Sequence, residues 1–270
     1  MKNMQGIALA LLVTAGLVAA APGTMAAEAA SAKLIVGGHD VPQDAYPFQA
    51  SLQLAASGKH HCGATLVSPT TLVTAAHCVF DEQKQEFRPA QLQAAIGRVS
   101  LSDVGRGEER GIAAIAIDPR YDRNRSYDIA YLSLTEPVTD IAPVALPAPD
   151  ARSPLAAPGR MATIVGWGYT EADPTPLPDR LQGADLPLQP AKRCAAELWH
   201  ESALRLCAGG AGKGVSFGDS GGPLLVDDGG TVTQIGIVSS SGETPGLGGF
   251  TSLLSPDVRS WKPDLSEPTA

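Results

Sequence analysis

An all-β protein built as two similar halves is what the sequence predicts, and three observations carry that expectation. Glycine (29) and proline (22) cut the chain into short apolar runs at close intervals, the pattern of brief strands joined by turns. Long helical periodicity is nearly absent. A proline- and alanine-rich stretch, 135–158, separates the runs into two groups, as a crossing connection would. The clearest strand candidates are 48–54, 64–67, 92–96, 112–117 and 129–134 before that stretch, and 162–165, 224–226 and 234–239 after it. Two short helices are expected: 190–200, opened by a proline at the first turn, and 256–261, stopped by Pro263.

With 44% hydrophobic and 18% charged residues in 270, the chain has apolar material for a sizeable core and too little charge for disorder. The length fits one compact body, because β barrels often exceed 200 residues as a unit. A formal net charge of -8 would repel nucleic acid and anionic membranes, so neither is expected as a partner.

Residues 1–26 read as an export signal. Lys2 gives a weak basic start, 7–21 is an apolar run, and small residues follow around Thr24, Met25 and Ala26. The run breaks at Pro22 and Gly23, short of a membrane-spanning helix. A secreted product, extracellular or periplasmic and free of the membrane once the signal is cut, is therefore expected. Four cysteines suit an oxidising compartment; spacing alone leaves their three possible pairings open. His60-His61-Cys62 and His77-Cys78 offer metal-type ligands, but a Cys-x-x-Cys pair is lacking and export favours disulfides over thiolates, so no metal is assigned and no cofactor is expected.

The chemistry concentrates at Gly218-Asp219-Ser220-Gly221-Gly222-Pro223. Glycines on both sides of a serine permit tight turns and close approach of a substrate. A serine hydroxyl needs a base to become a nucleophile, and that base needs a carboxylate to fix its tautomer. The hexapeptide also satisfies Gly-x-Ser-x-Gly, the nucleophile elbow of α/β-hydrolases, in which the histidine follows the serine. Here His39, His60, His61, His77 and His200 all precede Ser220, which excludes that order. An Asp44, His77, Ser220 order would need a parallel sheet with helical crossovers, and the helices are missing. What remains is histidine, aspartate, serine. His77 follows the strand end Leu72-Val73-Thr74 beside Cys78, and Asp128 opens Asp128-Ile129-Ala130-Tyr131-Leu132, which carries a carboxylate inward where it needs a partner.

At this point six stretches in register make a resemblance: Ile35-Val36-Gly37-Gly38, His61-Cys62-Gly63-Ala64-Thr65-Leu66-Val67, Thr74-Ala75-Ala76-His77-Cys78, Asp128-Ile129-Ala130, Gly166-Trp167-Gly168 and the serine hexapeptide. The chain resembles a trypsin/chymotrypsin-family serine protease from Ile35 to about Trp261. The resemblance implies two packed six-stranded antiparallel β-barrels with a short C-terminal helix and the site in the cleft between them. It implies a catalytic triad of His77, Asp128 and Ser220, an oxyanion hole from the N–H groups of Gly218 and Ser220, and disulfides Cys62–Cys78 and Cys194–Cys207. It implies activation by a cut before Ile35, whose new amine pairs with Asp219, so that 27–34 is a propeptide, 35–262 the protease domain and 263–270 a tail. The residue before that cut is Leu34, with Lys33 one step early for a trypsin-like activator, so the activator prefers apolar residues or the chain cuts itself.

Substrates of this family are proteins or peptides, and a monomer is expected. Trypsin-like cleavage after Lys or Arg requires a carboxylate six residues before the serine; here that position is Gly214. Val215 with Ser239, Ser241 and Gly248 is expected to line the specificity pocket. Ser216 stands where the family usually has a cysteine and Ser240 where it has a tryptophan, which points to a looser pocket for medium apolar residues. A catalytically silent binding protein on a protease scaffold is the alternative, although such proteins usually lose part of the triad and here every member is present.

Overall fold

The computed structural model describes residues 38–148, 154–169, 177–198, 203–210, 212–242, 244, 246–263 and 265. The predicted signal, the propeptide, Ile35 and most of the tail lie outside them.

The first half is a closed barrel. Its strands are β2 (Gln49–Leu54), β3 (Lys59–Ser68), β4 (Thr71–Thr74), β5 (Leu92–Ile96), β6 (Glu108–Ile117) and β7 (Ala130–Leu134), joined in the order β2-β3-β4-β7-β6-β5. All six pairings are antiparallel. β7 shows why such short runs suffice: Ala130, Leu132 and Leu134 are buried while Tyr131 and Ser133 between them are half-buried, the period-two alternation of a strand with one face on a core. Leu52, Leu66, Leu72, Ile96 and Leu132 fill the barrel interior with negligible exposure.

The second half differs in closure from the six-stranded expectation. The two-residue β1 (His39–Asp40) adds to β8 (Met161–Gly166), β9 (Gln182–Pro187), β10 (Arg205–Gly209), β11 (Pro223–Asp228), β12 (Thr231–Ser241) and β13 (Leu247–Ser252), giving seven strands in the order β1-β9-β8-β11-β12-β13-β10. The sheet curls until the chain just past β9 reaches β10, with Leu188 bridging Ala208 and the Gln189 N–H donating to the Cys207 carbonyl at 2.8 Å. Too few bonds join those ends to make a continuous strand pair, so this half is a curled sheet seamed at one point. Ile164, Leu186, Leu224, Ile235 and Phe250 form its core.

Helix α1 (Ala191–Leu198) begins one residue after Pro190, and residues 199 and 200 of the predicted span lie outside the described set. Helix α2 (Pro256–Ser260) is the short C-terminal helix. No helix among the described residues is long and apolar enough to cross a membrane.

The two halves touch backbone to backbone beside Ser220. The Gly63 N–H on β3 donates to the Ser220 carbonyl at 2.7 Å. A Cβ on Gly63 would stand 2.9 Å from the Gly222 backbone, and one on Gly221, whose φ is +79°, would fall 2.2 Å from Thr74 Oγ1 and 2.3 Å from the Gly63 carbonyl. No side chain fits at either position. Gly221→Ala is expected to lower stability by about 2 kcal/mol or more, with a cooperative loss of melting temperature in calorimetry, because both the positive φ and the contact oppose it.

Candidate active site

Strand register brings His77 and Asp128 together. Thr74 at the end of β4 pairs with Ala130 at the start of β7. The chain beyond each end therefore leaves the barrel at the same rim. Beyond Thr74, a 3-10 turn (Ala76–Val79) swings His77 outward, and Asp128 sits two residues before β7. The Asp128 carboxylate accepts from His77 twice: from the backbone N–H at 2.9 Å and from Nδ1 at 2.8 Å. Because a carboxylate only accepts, Nδ1 carries the proton and Nε2 presents a lone pair. Cys78 Sγ lies 3.8 Å from Nε2 and is bonded to Cys62 on β3, which fixes the turn that carries the ring.

The second half completes the enclosure of Asp128. The Ser239 hydroxyl on β12 donates to Oδ2, and the Thr251 hydroxyl on β13 donates to the Asp128 backbone carbonyl at 2.9 Å. Burial alone would push the Asp128 carboxyl up. The charge and hydrogen bond of His77, the Ser239 hydroxyl and the charge of Arg205 outweigh it and hold the group below the usual carboxylate range. For His77 burial opposes protonation, but Asp128 prevails and raises its pKa above the ordinary histidine value, with Arg205 pulling the other way.

Ser220 and His77 line one cleft cavity of about 330 Å³. Among the described residues no hydrogen bond holds the Ser220 hydroxyl. Near it, the N–H groups of Asp219, Gly221 and Gly222 donate to the carbonyls of Ser216, Val238 and Asp219, whereas those of Gly218 and Ser220 have no acceptor among the described residues. Gly218 has φ +98°, and a Cβ there would stand 2.9 Å from the Gly168 backbone. Its carbonyl accepts from His60 Nε2 at 2.9 Å. His60 Nδ1 must then accept from the Ser51 hydroxyl at 2.8 Å. Burial lowers the His60 pKa to about 4, against the pull of the Gly218 carbonyl, so this relay is neutral over the ordinary pH range. Sequence reasoning treated His60 only as a metal-type ligand; its role as a brace depends on a contact 158 residues along the chain, which no local pattern signals.

Of the residues expected to line the pocket, Val215, Ser239 and Ser241 do so, together with Ser216, Phe217, Val238 and Ser240. Gly214 and Gly248 are not among the residues that line it. A Cβ on Gly214 would strike the Gly246 carbonyl at 1.8 Å, and one on Gly248 would meet a Val215 methyl at 2.8 Å. Val215 thus occupies the room that Gly248 leaves. Phe217 was missed; it lies 80% exposed at the rim, an apolar surface position that periodicity does not flag.

Asp219 points away from the cleft into the second half. It is buried and accepts from the N–H groups of Gly168 at 2.9 Å and Ser216 at 2.8 Å. Burial raises its pKa to about 7 despite both bonds, and no cation among the described residues lies within ion-pair distance. Gly166 and Gly168 make the room, since a Cβ on either would stand within 2.5 Å of the carboxylate. The amine of Ile35, its expected partner, falls outside the described residues.

Residues 35–258 match the family model described as Trypsin. The chain belongs to the trypsin family of serine proteases. Among its relatives is Serine protease 28 of Mus musculus, 32% identical over 224 residues that cover 76% of this chain and 79% of the relative. Another is Transmembrane protease serine 5 of Homo sapiens, 34% identical over 220 residues, 77% of this chain and 46% of that longer protein. The trypsin-family chain is a serine-type endopeptidase by these matches, with two disulfides, Cys62–Cys78 and Cys194–Cys207.

An acid whose pKa is raised in the fold stabilises the fold at pH below its unfolded value, and that contribution fades as pH rises through the folded value. For Asp219 the window runs from about 4 to about 7. In the unprocessed trypsin-family chain, Asp219→Asn is therefore expected to raise the melting temperature at pH 8 and leave it nearly unchanged at pH 4, as followed by calorimetry across pH.

Proposed function

We propose that this protease cleaves peptide bonds through an acyl-enzyme formed on Ser220, with His77 as general base, Asp128 as the group that orients it and the N–H groups of Gly218 and Ser220 as the oxyanion hole. The observation that carries this reading is the His77–Asp128 pair, whose Nδ1 contact of 2.8 Å leaves Nε2 as the basic nitrogen on the cleft that Ser220 also lines. In acylation the Ser220 oxygen attacks the scissile carbonyl while its proton passes to His77 Nε2. The oxyanion is stabilised by the two N–H groups, worth about 3 kcal/mol each in the transition state. His77 then gives the proton to the leaving amine, and a water repeats the sequence on the ester to release the acid.

Secretion after removal of 1–26 and activation by a cut before Ile35 belong to the same proposal. The buried Asp219 carboxylate supports it, since a carboxyl held at about 7 by burial would be returned to its ionised form by an amine entering beside it. Processed protein is expected to begin at Ile35.

For specificity, the cleft lining contains no carboxylate among the described residues, and Gly214 has no room for one. A lysine or arginine entering would lose its hydration without an ion pair. Val215 and the Ser239-Ser240-Ser241 edge favour medium apolar residues, which agrees with Leu34 at the proposed activation site.

Labelling by a fluorophosphonate probe is the direct test: processed wild type is expected to react at Ser220, with loss of signal in Ser220→Ala and His77→Ala. Folded, processed wild type that stays unlabelled would instead support a binding protein on this scaffold. Because Asp128 raises the His77 pKa, kcat/KM is expected to climb with pH through a midpoint above 6.5. Asp128→Asn is expected to lower kcat by roughly 10³ to 10⁴-fold with little change in KM, as the ring loses its required tautomer. A peptide library varied at the residue before the scissile bond would reveal the pocket preference, and efficient cleavage after arginine would overturn the specificity reading.

A further inference from the structure

Arg205 opens β10 with only 3% of its surface exposed, and it is paired in register with Thr251, whose hydroxyl holds the Asp128 carbonyl. One guanidinium nitrogen, Nη2, donates to the carbonyl of Arg125, three residues before Asp128. Nε and Nη1 are buried and have no hydrogen-bond partner among the described residues. No carboxylate among the described residues lies within ion-pair distance of it. A buried cation with two unpartnered donors costs stability, and an apolar side chain of the same length would serve packing better. Its place in the fold is explained by what it acts on: the segment that carries Asp128, and the charges of Asp128 and His77.

We propose that Arg205 is a positioning residue for the His77–Asp128 pair, anchoring the 125–128 segment to the second half and setting a buried, fixed positive charge behind that segment. The proposal rests on the catalytic reading above. Asp128 favours the imidazolium, which on its own would cost the enzyme its base in mildly acidic media; Arg205 offsets part of that pull. The other charges that face His77 are spread over the outer cleft. Asp81, Glu82, Lys84, Asp122 and Arg125 line the adjoining cavity of about 500 Å³, three acids against two bases in contact with solvent, where screening is strong. His61 on β3 is neutral, its pKa lowered by burial, and it faces the Cys78 carbonyl at 3.1 Å. Arg205 is therefore the buried cation that acts on the pair from the second half.

The test separates charge from anchoring and structure from catalysis. Arg205→Met removes both functions, Arg205→Gln retains a donor for the Arg125 carbonyl without charge, and Arg205→Lys retains the charge. The His77 titration is followed by NMR of histidine Cε1 in processed full-length protein, assigned with His77→Gln, beside the pH profile of kcat/KM. A buried fixed charge acting through a medium of effective dielectric about 20 moves a nearby titrating group by on the order of one pKa unit. The His77 midpoint is therefore expected to rise by about half to one unit in the Met and Gln variants and to stay within about 0.2 unit in the Lys variant. At a pH one unit below the wild-type midpoint, kcat/KM of the Met and Gln variants is expected to fall about three- to tenfold, with the Gln variant keeping more of its plateau. Folded Met or Gln variants with an unmoved His77 midpoint would overturn the proposal, as would failure of all three variants to fold, which would make Arg205 a structural residue. If wild type neither hydrolyses peptides nor takes a fluorophosphonate, the protease reading falls, while the NMR titration still decides the placement of charge.

Discussion

The buried charge on Asp128 is the constraint around which the two halves are assembled. A carboxylate that leaves water must be surrounded by donors and positive charge, or it stays protonated. The first barrel supplies His77, through both its backbone N–H and its ring. The second half supplies the Ser239 hydroxyl, the Thr251 hydroxyl on the adjacent carbonyl and the nearby charge of Arg205. Both halves therefore contribute to holding the ion, His77 most of all, and the ionised carboxylate sets the tautomer of His77.

Asp219 is the mirror case. It is equally buried, yet only two backbone N–H groups face it and its pKa is driven up to about 7 where that of Asp128 is driven down. The difference lies in what surrounds Asp128: the His77 ring, the Ser239 hydroxyl and the charge of Arg205. Two contacts hold the backbone leading into Ser220: Asp219 accepts from the Ser216 N–H, and His60 Nε2 donates to the Gly218 carbonyl. The charge state of Asp219 therefore bears on the backbone that leads into Gly218 and Ser220.

Much of this was legible in the sequence, for identifiable reasons. Strands such as Leu92–Ile96 and Ala130–Leu134 are apolar runs with turn residues at their ends. The serine hexapeptide is conspicuous because backbone close approach demands glycine at Gly221. Less legible were β9, β10 and β13: Gln182–Pro187 contains glycine, aspartate and proline, Leu247–Ser252 has two consecutive glycines, and Arg205–Gly209 opens on a charge. Their strand state comes from pairing with neighbours already in place, a tertiary effect that local propensity does not contain. The open seam of the second half was likewise invisible, since closure depends on a few bonds between Leu188, Gln189 and their partners near Cys207. At the site, residues with a local signature were found, while Ser51, His60, Thr251 and Arg205 act through contacts far along the chain and carry no such mark.

The specificity cleft shows how the same backbone changes its chemistry by subtraction. Ser216 lines the wall, and both disulfides serve other places: Cys62–Cys78 the turn of His77, and Cys194–Cys207 the join of α1 to β10. The wall is held in their place by backbone contact, with Gly209, Gly214 and Gly246 packed so closely that Cβ atoms would stand 1.8 to 2.7 Å from neighbouring backbone. Such packing admits no side chain at Gly209, Gly214 or Gly246, so the cleft chemistry rests on the residues that line it: Val215, Val238, a run of three serines and the exposed ring of Phe217. Under the proposed apolar specificity, such a pocket would discriminate by fit, where one methylene is worth about 1–3 kcal/mol, and preference among apolar residues would be graded.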